Sequence, residues 1–515
     1  MSSLVGVAER MAVAVYRFQR LPLLLFLTGF SSLALLVGTQ KPLWYDEIVT
    51  LYICRLPSMP DVWSALVDSA DANPPLFHLL TRVSMWIFGE SPLALRLPSI
   101  VGFAVLCWSL FRFASKRLSH ASAWAGVGSL FLTSAGYYMT EARPYGLVLG
   151  FSGFALVCWQ SAAEGSKRSV SIAGMALSCT AALSCHYYGV LILVPLLAGE
   201  LVRWRVNRRF DGPVVAALFA AAIPLAFYLP LIASAGTYGR NASATPSIGS
   251  ILPIYGTLLS HGPLLLVGLA ALALWCFVPE RGAAHNTASA AEIRIPLHEA
   301  AAILMLLLTP LTTLCCAYLA GGFIDRYAIL VTAGFALLVS LAVAWLSQSR
   351  PTVAVLSLLL VAGMFAAEEH FVIIRCLRGA ESFRMPPILL RAADEGSVAI
   401  ENPVACLQYQ HYAPPEVRKN LYCIVDPERS RRITGNPSAD TGLQRLSNWA
   451  SIQTDNYESF LRDHAEFVVY QSRREQEFSW LLAQLSRDET ANVRLIARST
   501  REAVYHVQQT SDKTP

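Results

Sequence analysis

The feature that most constrains this sequence of 515 residues is the separation of its apolar part from its charged part. About 11% of residues 1–369 are Asp, Glu, Lys or Arg, against about 25% of residues 370–515. The second fraction is that of an ordinary soluble domain. The low charged fraction of residues 1–369 excludes a soluble enzyme, a disordered chain and a protein that binds nucleic acid through a basic surface. The sequence therefore predicts an α-helical membrane domain over 1–369 and a soluble domain over 370–515.

Long apolar stretches divide the first part, and a helix needs roughly 20 such residues to cross a bilayer. We predict eleven transmembrane helices, at 21–39, 94–113, 120–138, 145–163, 170–185, 187–202, 212–232, 262–279, 299–320, 327–346 and 351–368. Fifteen Lys and Arg residues then fall on one side of the membrane and seven on the other. Because loops rich in Lys and Arg stay in the cytoplasm, we expect a cytoplasmic N-terminus and an extracytoplasmic C-terminal domain.

One apolar segment, Pro75–Phe88, is interpreted differently. Counting it as a span would reverse the side of every later loop and place the basic cluster at 112–117 outside. We therefore predict a membrane-parallel helix there, with Trp86 and Phe88 at the depth of the lipid headgroups. The first outer loop, 40–93, is expected to contain such short helices.

Residues 370–515 alternate short apolar runs with helical stretches, which is typical of a small α/β domain. The apolar runs are 397–400, 467–470, 493–496 and 503–507, and the helical stretches include 456–462 and 478–485. The eleven cysteines of the chain show no metal or redox spacing. Cys406 and Cys423 could form a disulfide if this domain is extracytoplasmic.

Ionisable side chains recur at the outer ends of the predicted spans. They are Asp46 and Glu47, Glu141 and Arg143, His186 beside Tyr187, and Arg326 beside Tyr327. Charged groups at membrane depth are costly and often functional, although each pair alone also fits a solvated helix end or a structural ion pair. Carboxylates accept protons or hold divalent cations, and arginine binds phosphate. Together the side chains suit transfer from a lipid-phosphate donor to an acceptor outside the membrane.

Five motifs in the same order resemble a known family. They are Trp44-Tyr45-Asp46-Glu47, Asn73-Pro74-Pro75-Leu76, Phe88-Gly89-Glu90-Ser91, Ala94-Leu95-Arg96-Leu97-Pro98-Ser99 and Glu141-Ala142-Arg143-Pro144-Tyr145-Gly146. Over residues 20–345 the chain is similar to the polyprenyl-phosphate-sugar glycosyltransferases of the GT-C superfamily. The most similar groups are the bacterial branch related to protein O-mannosyltransferases, the lipid A aminoarabinose transferases and the lipopolysaccharide galacturonosyltransferases. Asn73 departs from the protein O-mannosyltransferases, which have histidine there, so their substrate is not implied.

The resemblance implies roles for the matching residues. Asp46 would be the general base, with Glu47 and Glu141 as further acidic catalytic residues. Arg143 and Arg326 would bind the donor phosphate. The remaining expected substrate contacts are Asn73, His78, His186, Tyr187 and Tyr327. Glu47, Glu141 and His186 are also candidate ligands of a divalent cation (Mg²⁺ or Mn²⁺), although no spacing requires one.

The resulting hypothesis is a glycosyltransferase of the bacterial inner membrane. It would move a sugar from a polyprenyl-phosphate donor lipid to a hydroxyl of an extracytoplasmic glycolipid, polysaccharide or protein, with inversion at the anomeric carbon. The alternative is a transporter or flippase for a phosphate-containing lipid, which would place ionisable residues near mid-span and in repeated halves. The charges lie at helix ends on one face of the membrane, which favours the enzyme.

Overall fold

The computed structural model describes residues 21–241, 247–277, 293–320, 323–348, 351–382, 385–472 and 476–509. Up to Ser382 the described chain is helical, and the described part of each predicted span lies on one helix or on consecutive helices; residues 278–279 of the span predicted at 262–279 lie outside the described residues. The helices are α1 (Leu21–Gln40), α2 (Tyr45–Cys54), α3 (Met59–Val67), α4 (Pro75–Phe88), α5 (Pro92–Ser115), α6 (His120–Ser129), α7 (Ser134–Met139), α8 (Tyr145–Ala163), α9 (Arg168–Cys185), α10 (Leu193–Asn207), α11 (Gly212–Ala220), α12 (Pro224–Phe227), α13 (Leu229–Asn241), α14 (Ile251–Leu259), α15 (Gly262–Phe277), α16 (Leu297–Leu307), α17 (Thr309–Ala320), α18 (Val331–Ser347) and α19 (Pro351–Ser382). Short 3₁₀ segments join some of them, at Leu130–Leu132, Tyr187–Ile192, Ile248–Ser250 and Asp325–Ala328.

The predicted spans 212–232 and 299–320 are bent, and a third bend lies directly before the span predicted at 262–279. Among the described residues four helices are long and apolar enough to cross a membrane, or up to seven if each of three bent pairs is one span. The bends are 66° between α12 and α13, 78° between α14 and α15, and 58° between α16 and α17. In each case the second helix has proline at its second position, namely Pro230, Pro263 or Pro310. Proline suits the first turn of a helix but cannot continue a preceding one, which explains the breaks. The count of eleven spans stays a prediction.

Glycines allow α5 and α8 to touch along their backbones. A Cβ atom on Gly102 would collide with the carbonyl of Gly146, and one on Gly150 would collide with the carbonyl of Gly102. Small residues promote close helix packing in membranes in this way. At the N-terminal end of α5, Ser99 Oγ donates to the carbonyl of Arg143 at 2.5 Å. The packing therefore places Arg143 beside the loop that joins α1 to α5.

That loop, the predicted first outer loop, folds into α2, α3 and α4. Helix α4 has 14 residues, which is too short to cross a bilayer. It ends at Gly89, whose φ of +77° is readily adopted only by glycine. Trp86 and Phe88 at its end are 85% and 62% exposed, as an interfacial helix requires. Its orientation parallel to the membrane stays a prediction.

The C-terminal part is an α/β domain built on a six-stranded sheet of order β3-β2-β1-β4-β6-β5. The strands are β1 (Val398–Ile400), β2 (Leu421–Ile424), β3 (Thr454–Asp455), β4 (Glu466–Ser472), β5 (Ala491–Arg498) and β6 (Glu502–Gln509). Neighbours from β3 to β4 are parallel, whereas β4, β6 and β5 pair antiparallel. The helices are α20 (Pro387–Glu395), α21 (Pro403–Tyr412), α22 (Pro415–Arg418), α23 (Pro427–Thr434), α24 (Ser438–Ser447), α25 (Tyr457–Asp463) and α26 (Leu481–Leu485), with a 3₁₀ segment at Gln476–Phe478.

This domain packs directly on the first outer loop. Helix α19 runs to Ser382, past the predicted boundary at 369/370, and the chain then enters the sheet domain through α20. Apolar side chains of both parts share one buried cluster, for example Ile48 and Leu66 from the loop with Leu407 and Leu443 from the domain. The loop that carries the candidate active site is thus enclosed between the membrane helices and the C-terminal domain.

Candidate active site

Asp46 lies in the first turn of α2 and faces two guanidinium groups. Arg326 donates from Nη2 to its Oδ2 at 3.2 Å, and Arg143 Nε lies 3.8 Å from the same oxygen. The Asp46 side chain is 18% exposed, whereas those of Glu47 and Glu141 are fully buried. A partly open carboxylate between two fixed cations is well placed to contact a ligand.

Glu47, the next residue, is engaged in a different way. Arg96 donates to both of its carboxylate oxygens at 2.7 Å, and the Ala142 N–H donates to Oε1 at 2.8 Å. Burial raises the pKa of Glu47, but the Arg96 guanidinium outweighs this and holds the pKa below its usual value. The ion pair joins α2 to α5. The predicted catalytic and metal-binding roles of Glu47 stay predictions.

Glu141 is also occupied by internal partners. It accepts hydrogen bonds from Lys41 Nζ and Trp44 Nε1. Burial lowers the pKa of the Lys41 ammonium to about 8. Among the described residues, no group of three His, Cys, Asp or Glu side chains could hold a metal ion. The three predicted metal ligands, Glu47, Glu141 and His186, are therefore not brought together.

Asp71, which the sequence reasoning missed, joins several of the predicted residues. Its carboxylate accepts from Arg143 Nη1 at 3.1 Å and from Asn73 Nδ2 at 2.8 Å, and His78 Nε2 lies 3.4 Å away. Burial raises the pKa of Asp71, but the Arg143 guanidinium and His78 hold it well below its usual value. The one signal in the sequence is that Asp71 stands two residues before the Asn-Pro-Pro-Leu motif.

Aromatic rings lie beside the arginines. The Tyr145 hydroxyl accepts from Arg326 Nε at 2.8 Å, and its ring centroid is 5.4 Å from that of His186. The Tyr327 ring is 4.9 Å from the same imidazole. Burial, reinforced by the nearby arginines, lowers the pKa of His186 to about 3, so this imidazole is neutral at physiological pH. The rings of Tyr145, His186 and Tyr327 therefore form an uncharged surface beside the arginines.

A cavity of about 690 Å³ adjoins Arg326. Hydroxyl-bearing and apolar side chains predominate in its lining, which consists of Ser134, Tyr138, Ser247, Gly249, Ser250, Pro253, Thr257, Leu258, Phe323, Ile324, Asp325 and Arg326. Ile248 and Leu252, in the same segment as the lining serines, are 77% and 80% exposed, as residues that face lipid would be. Arg326 contacts Asp46 and also lines the cavity, so it connects the two.

The fold of this chain is similar to that of known proteins. The family model for dolichyl-phosphate-mannose-protein mannosyltransferases matches residues 72–233. ArnT from Cupriavidus metallidurans bound to undecaprenyl phosphate aligns with a TM-score of 0.55 at 12% identity, covering 94% of this chain and 97% of that one. Its apo structure aligns with a TM-score of 0.54 at 11% identity, covering 96% and 98%. The chain has the GT-C fold. A search of curated protein sequences gives no significant match.

The GT-C scaffold brings together only part of the predicted site. Asp46, Arg143 and Arg326 lie in contact, and Asn73 and His78 reach Arg143 through Asp71. The His186 ring lies against the rings of Tyr145 and Tyr327. Tyr187 packs instead against the apolar cluster shared by the loop and the C-terminal domain. The catalytic and binding roles of these residues stay predictions.

Proposed function

We propose that this GT-C protein is a membrane glycosyltransferase that moves a sugar from a polyprenyl-phosphate donor to a hydroxyl group of an extracytoplasmic acceptor. The observation that supports this most is the partly exposed carboxylate of Asp46 between Arg143 and Arg326, beside the cavity that Arg326 lines. A carboxylate next to fixed cations supplies both a base for the acceptor and a counter-charge for the departing phosphate.

In the proposed reaction Asp46 accepts the proton of the acceptor hydroxyl while the hydroxyl oxygen attacks the anomeric carbon of the sugar. The new carbon–oxygen bond forms as the bond between the anomeric carbon and the phosphate oxygen breaks. The electron pair of that bond leaves with the polyprenyl phosphate. A single displacement of this kind inverts the anomeric carbon. Arg326 and Arg143 stabilise the charge of the leaving phosphate.

The ion pairs of Asp46 suggest how donor binding prepares the base. A phosphate that recruits Arg326 would release the Asp46 oxygen that now accepts from this guanidinium. Arg143 Nε is buried without a hydrogen-bond partner, so it is a second donor for the same phosphate.

Several observations support a lipid donor outside the cytoplasm. ArnT from Cupriavidus metallidurans, which has the same fold, binds undecaprenyl phosphate in its crystal structure. Exposed apolar side chains next to the cavity, Ile248 and Leu252, suit entry of a lipid chain from the membrane. Cys406 and Cys423 form a disulfide between α21 and β2, and disulfides persist mainly in oxidising compartments. The predicted topology places the C-terminal domain on the same side.

The proposed reaction contains no step that depends on a metal ion. Both oxygens of Glu47 accept hydrogen bonds from Arg96, and those of Glu141 accept from Lys41 and Trp44. The described acidic and histidine side chains around Asp46 therefore do not provide a set of three free ligands. The two arginines supply the positive charge that the leaving phosphate requires.

The test is mass spectrometry of envelope glycolipids, polysaccharides and glycoproteins from a strain that lacks the gene, complemented with wild type or variants. We expect the deletion to shift one glycan down by the mass of one sugar and the wild-type gene to restore it. Asp46→Asn should lower restoration by about 100-fold or more, because the base is lost. Glu90→Gln is a matched control, since this exposed acid in the same loop has Arg55 as its ion-pair partner among the described residues. Wild-type activity of the Asp46→Asn protein would exclude the proposed role.

A further inference from the structure

The segment 41–44, between α1 and α2, directly precedes Asp46, and its position sets where α2 begins. Arg96 fixes the first half of the segment. It donates to the carbonyl oxygens of Lys41 at 2.7 Å and Pro42 at 3.2 Å. This guanidinium belongs to α5, so the first half of the segment is tied to the membrane helices.

The second half is tied to the C-terminal domain. The backbone N–H of Leu43 donates to the hydroxyl of Tyr412 at 2.6 Å, and this hydroxyl donates to the carbonyl of Leu43 at 3.4 Å. Leu43 is 4% exposed, and a buried backbone N–H or C=O group needs a partner. We infer that Tyr412 is a positioning residue of the active site, which holds Asp46 in place through the backbone of Leu43.

Tyr412 is suited to this role because its helix is rigidly mounted. Helix α21 carries Cys406, whose disulfide to Cys423 attaches it to β2. Near the other end of the helix, Gln410 Nε2 donates to the carbonyl of Leu421 at 2.9 Å, again on β2. Two independent attachments to one strand limit sliding and rotation of α21. The hydroxyl of Tyr412, at the last residue of the helix, therefore has a defined position relative to the sheet.

A second contact fixes the far end of α2 to the same helix. The hydroxyl of Tyr52 and Nδ1 of His411 lie 3.2 Å apart. Helix α21 thus contacts α2 just before its first turn, at Leu43, and again near its last turn. A helix held at both ends cannot turn Asp46 away from Arg326. The C-terminal domain then serves as a clamp on the catalytic helix, an inference that rests on the proposed role of Asp46.

The test compares Tyr412→Phe with Tyr409→Phe in the full-length protein. Both changes remove one hydroxyl from α21, but that of Tyr409 lies 3.3 Å from the hydroxyl of Tyr470, within the C-terminal domain. We expect Tyr412→Phe to lower glycan modification in the complemented strain by about 3- to 10-fold, from loss of one buried hydrogen-bond partner. Affinity for undecaprenyl phosphate should change by less than about twofold, since no phosphate contact is removed. Hydrogen–deuterium exchange of residues 41–47 should become faster. Tyr409→Phe should leave all of these quantities at wild-type values.

Wild-type modification and wild-type exchange of 41–47 in Tyr412→Phe would overturn the inference and leave the proposed function intact. Absence of any glycan difference between the wild-type and deletion strains would instead refute the proposed function, and the exchange measurement would still decide whether Tyr412 orders the segment. Tyr52→Phe, which loses the contact with His411, provides a second variant. It should accelerate exchange at the end of α2, and unchanged exchange there would count against the clamp.

Discussion

Asp46 and Glu47 are adjacent in sequence, and each faces arginine, yet the two carboxylates differ in their exposure and in their hydrogen bonds. Glu47 is fully buried and accepts two hydrogen bonds at 2.7 Å from a single guanidinium, that of Arg96. Asp46 is partly exposed and receives one hydrogen bond at 3.2 Å from Arg326 and a longer contact at 3.8 Å from Arg143. The first arrangement is closed to any ligand, whereas the second is open.

From this difference we expect Asp46, rather than Glu47, to take part in the proposed reaction. Replacing either partner of a buried, hydrogen-bonded ion pair lowers the stability of the protein strongly, because the other partner is left as an uncompensated charge. An open pair with a long contact exchanges partners at little cost, since solvent or a phosphate can replace the carboxylate. Glu47 is therefore expected to affect folding, and Asp46 and its arginines to affect turnover.

The largest expected effect is on stability, from Glu47→Gln. The amide cannot neutralise Arg96, which is 0% exposed, so the free energy of unfolding should fall by about 3–5 kcal/mol. Thermal unfolding of the purified protein in detergent would measure this. Glu90→Gln, which breaks an exposed ion pair with Arg55, should cost less than about 1 kcal/mol. A Glu47→Gln protein that unfolds like wild type but no longer transfers sugar would instead support the catalytic role predicted from the sequence.

The next effect is on activity, from Arg326→Gln. Loss of one donor to a developing anion commonly costs about 100-fold in rate. We expect a decrease of that order in glycan modification, together with weaker binding of undecaprenyl phosphate by the purified protein. The unfolding temperature should change little, because the Arg326 side chain is 24% exposed. The comparison with Glu47 would fail if Arg326→Gln destabilised the protein as strongly as Glu47→Gln does.

The sequence predicted the fold class because apolar stretches and charge content report burial directly. The predicted spans coincide with helices, and the four predicted apolar runs coincide with β1, β4, β5 and β6. The sequence did not identify β2 or β3. Strand β3 has two residues, Thr454 and Asp455, with no apolar signal. So short a run does not reveal its secondary structure without the partner strands that stabilise it.

The candidate site was predictable in its residue types but not in its geometry. Motif positions identified Asp46 and Arg143, and the charge at the end of a predicted span identified Arg326; the fold does bring these three residues together. The motif positions named Asp46 as the base but did not reveal the ion pair of Glu47, because that depends on Arg96 reaching α2 from α5 across 49 residues of sequence. Pairing over such separations is a property of the tertiary structure.

The smallest expected effect on activity comes from Asp71. Its carboxylate is buried like that of Glu47, but its partner Arg143 also contacts the partly exposed Asp46. Asp71→Asn removes the charge that holds Arg143, and we expect glycan modification to fall by about 10-fold, in the range of a lost hydrogen bond to a charged group. Affinity for undecaprenyl phosphate should fall with it if Arg143 binds the donor phosphate. Glu90→Gln again serves as the control, because it removes an acid from the same loop outside the site.

Acid unfolding separates the structural contribution of Asp71 from its effect on turnover. Because the pKa of Asp71 lies below its usual value of 3.8 in the folded protein, its ion pairs stabilise the fold above that pH. This stabilisation is lost as the pH falls below the usual value towards the lowered one. The unfolding temperature of wild type should therefore drop more steeply than that of Asp71→Asn between about pH 4 and pH 3. Parallel curves, with full transfer activity in the variant, would show that Asp71 neither stabilises the loop nor orients Arg143.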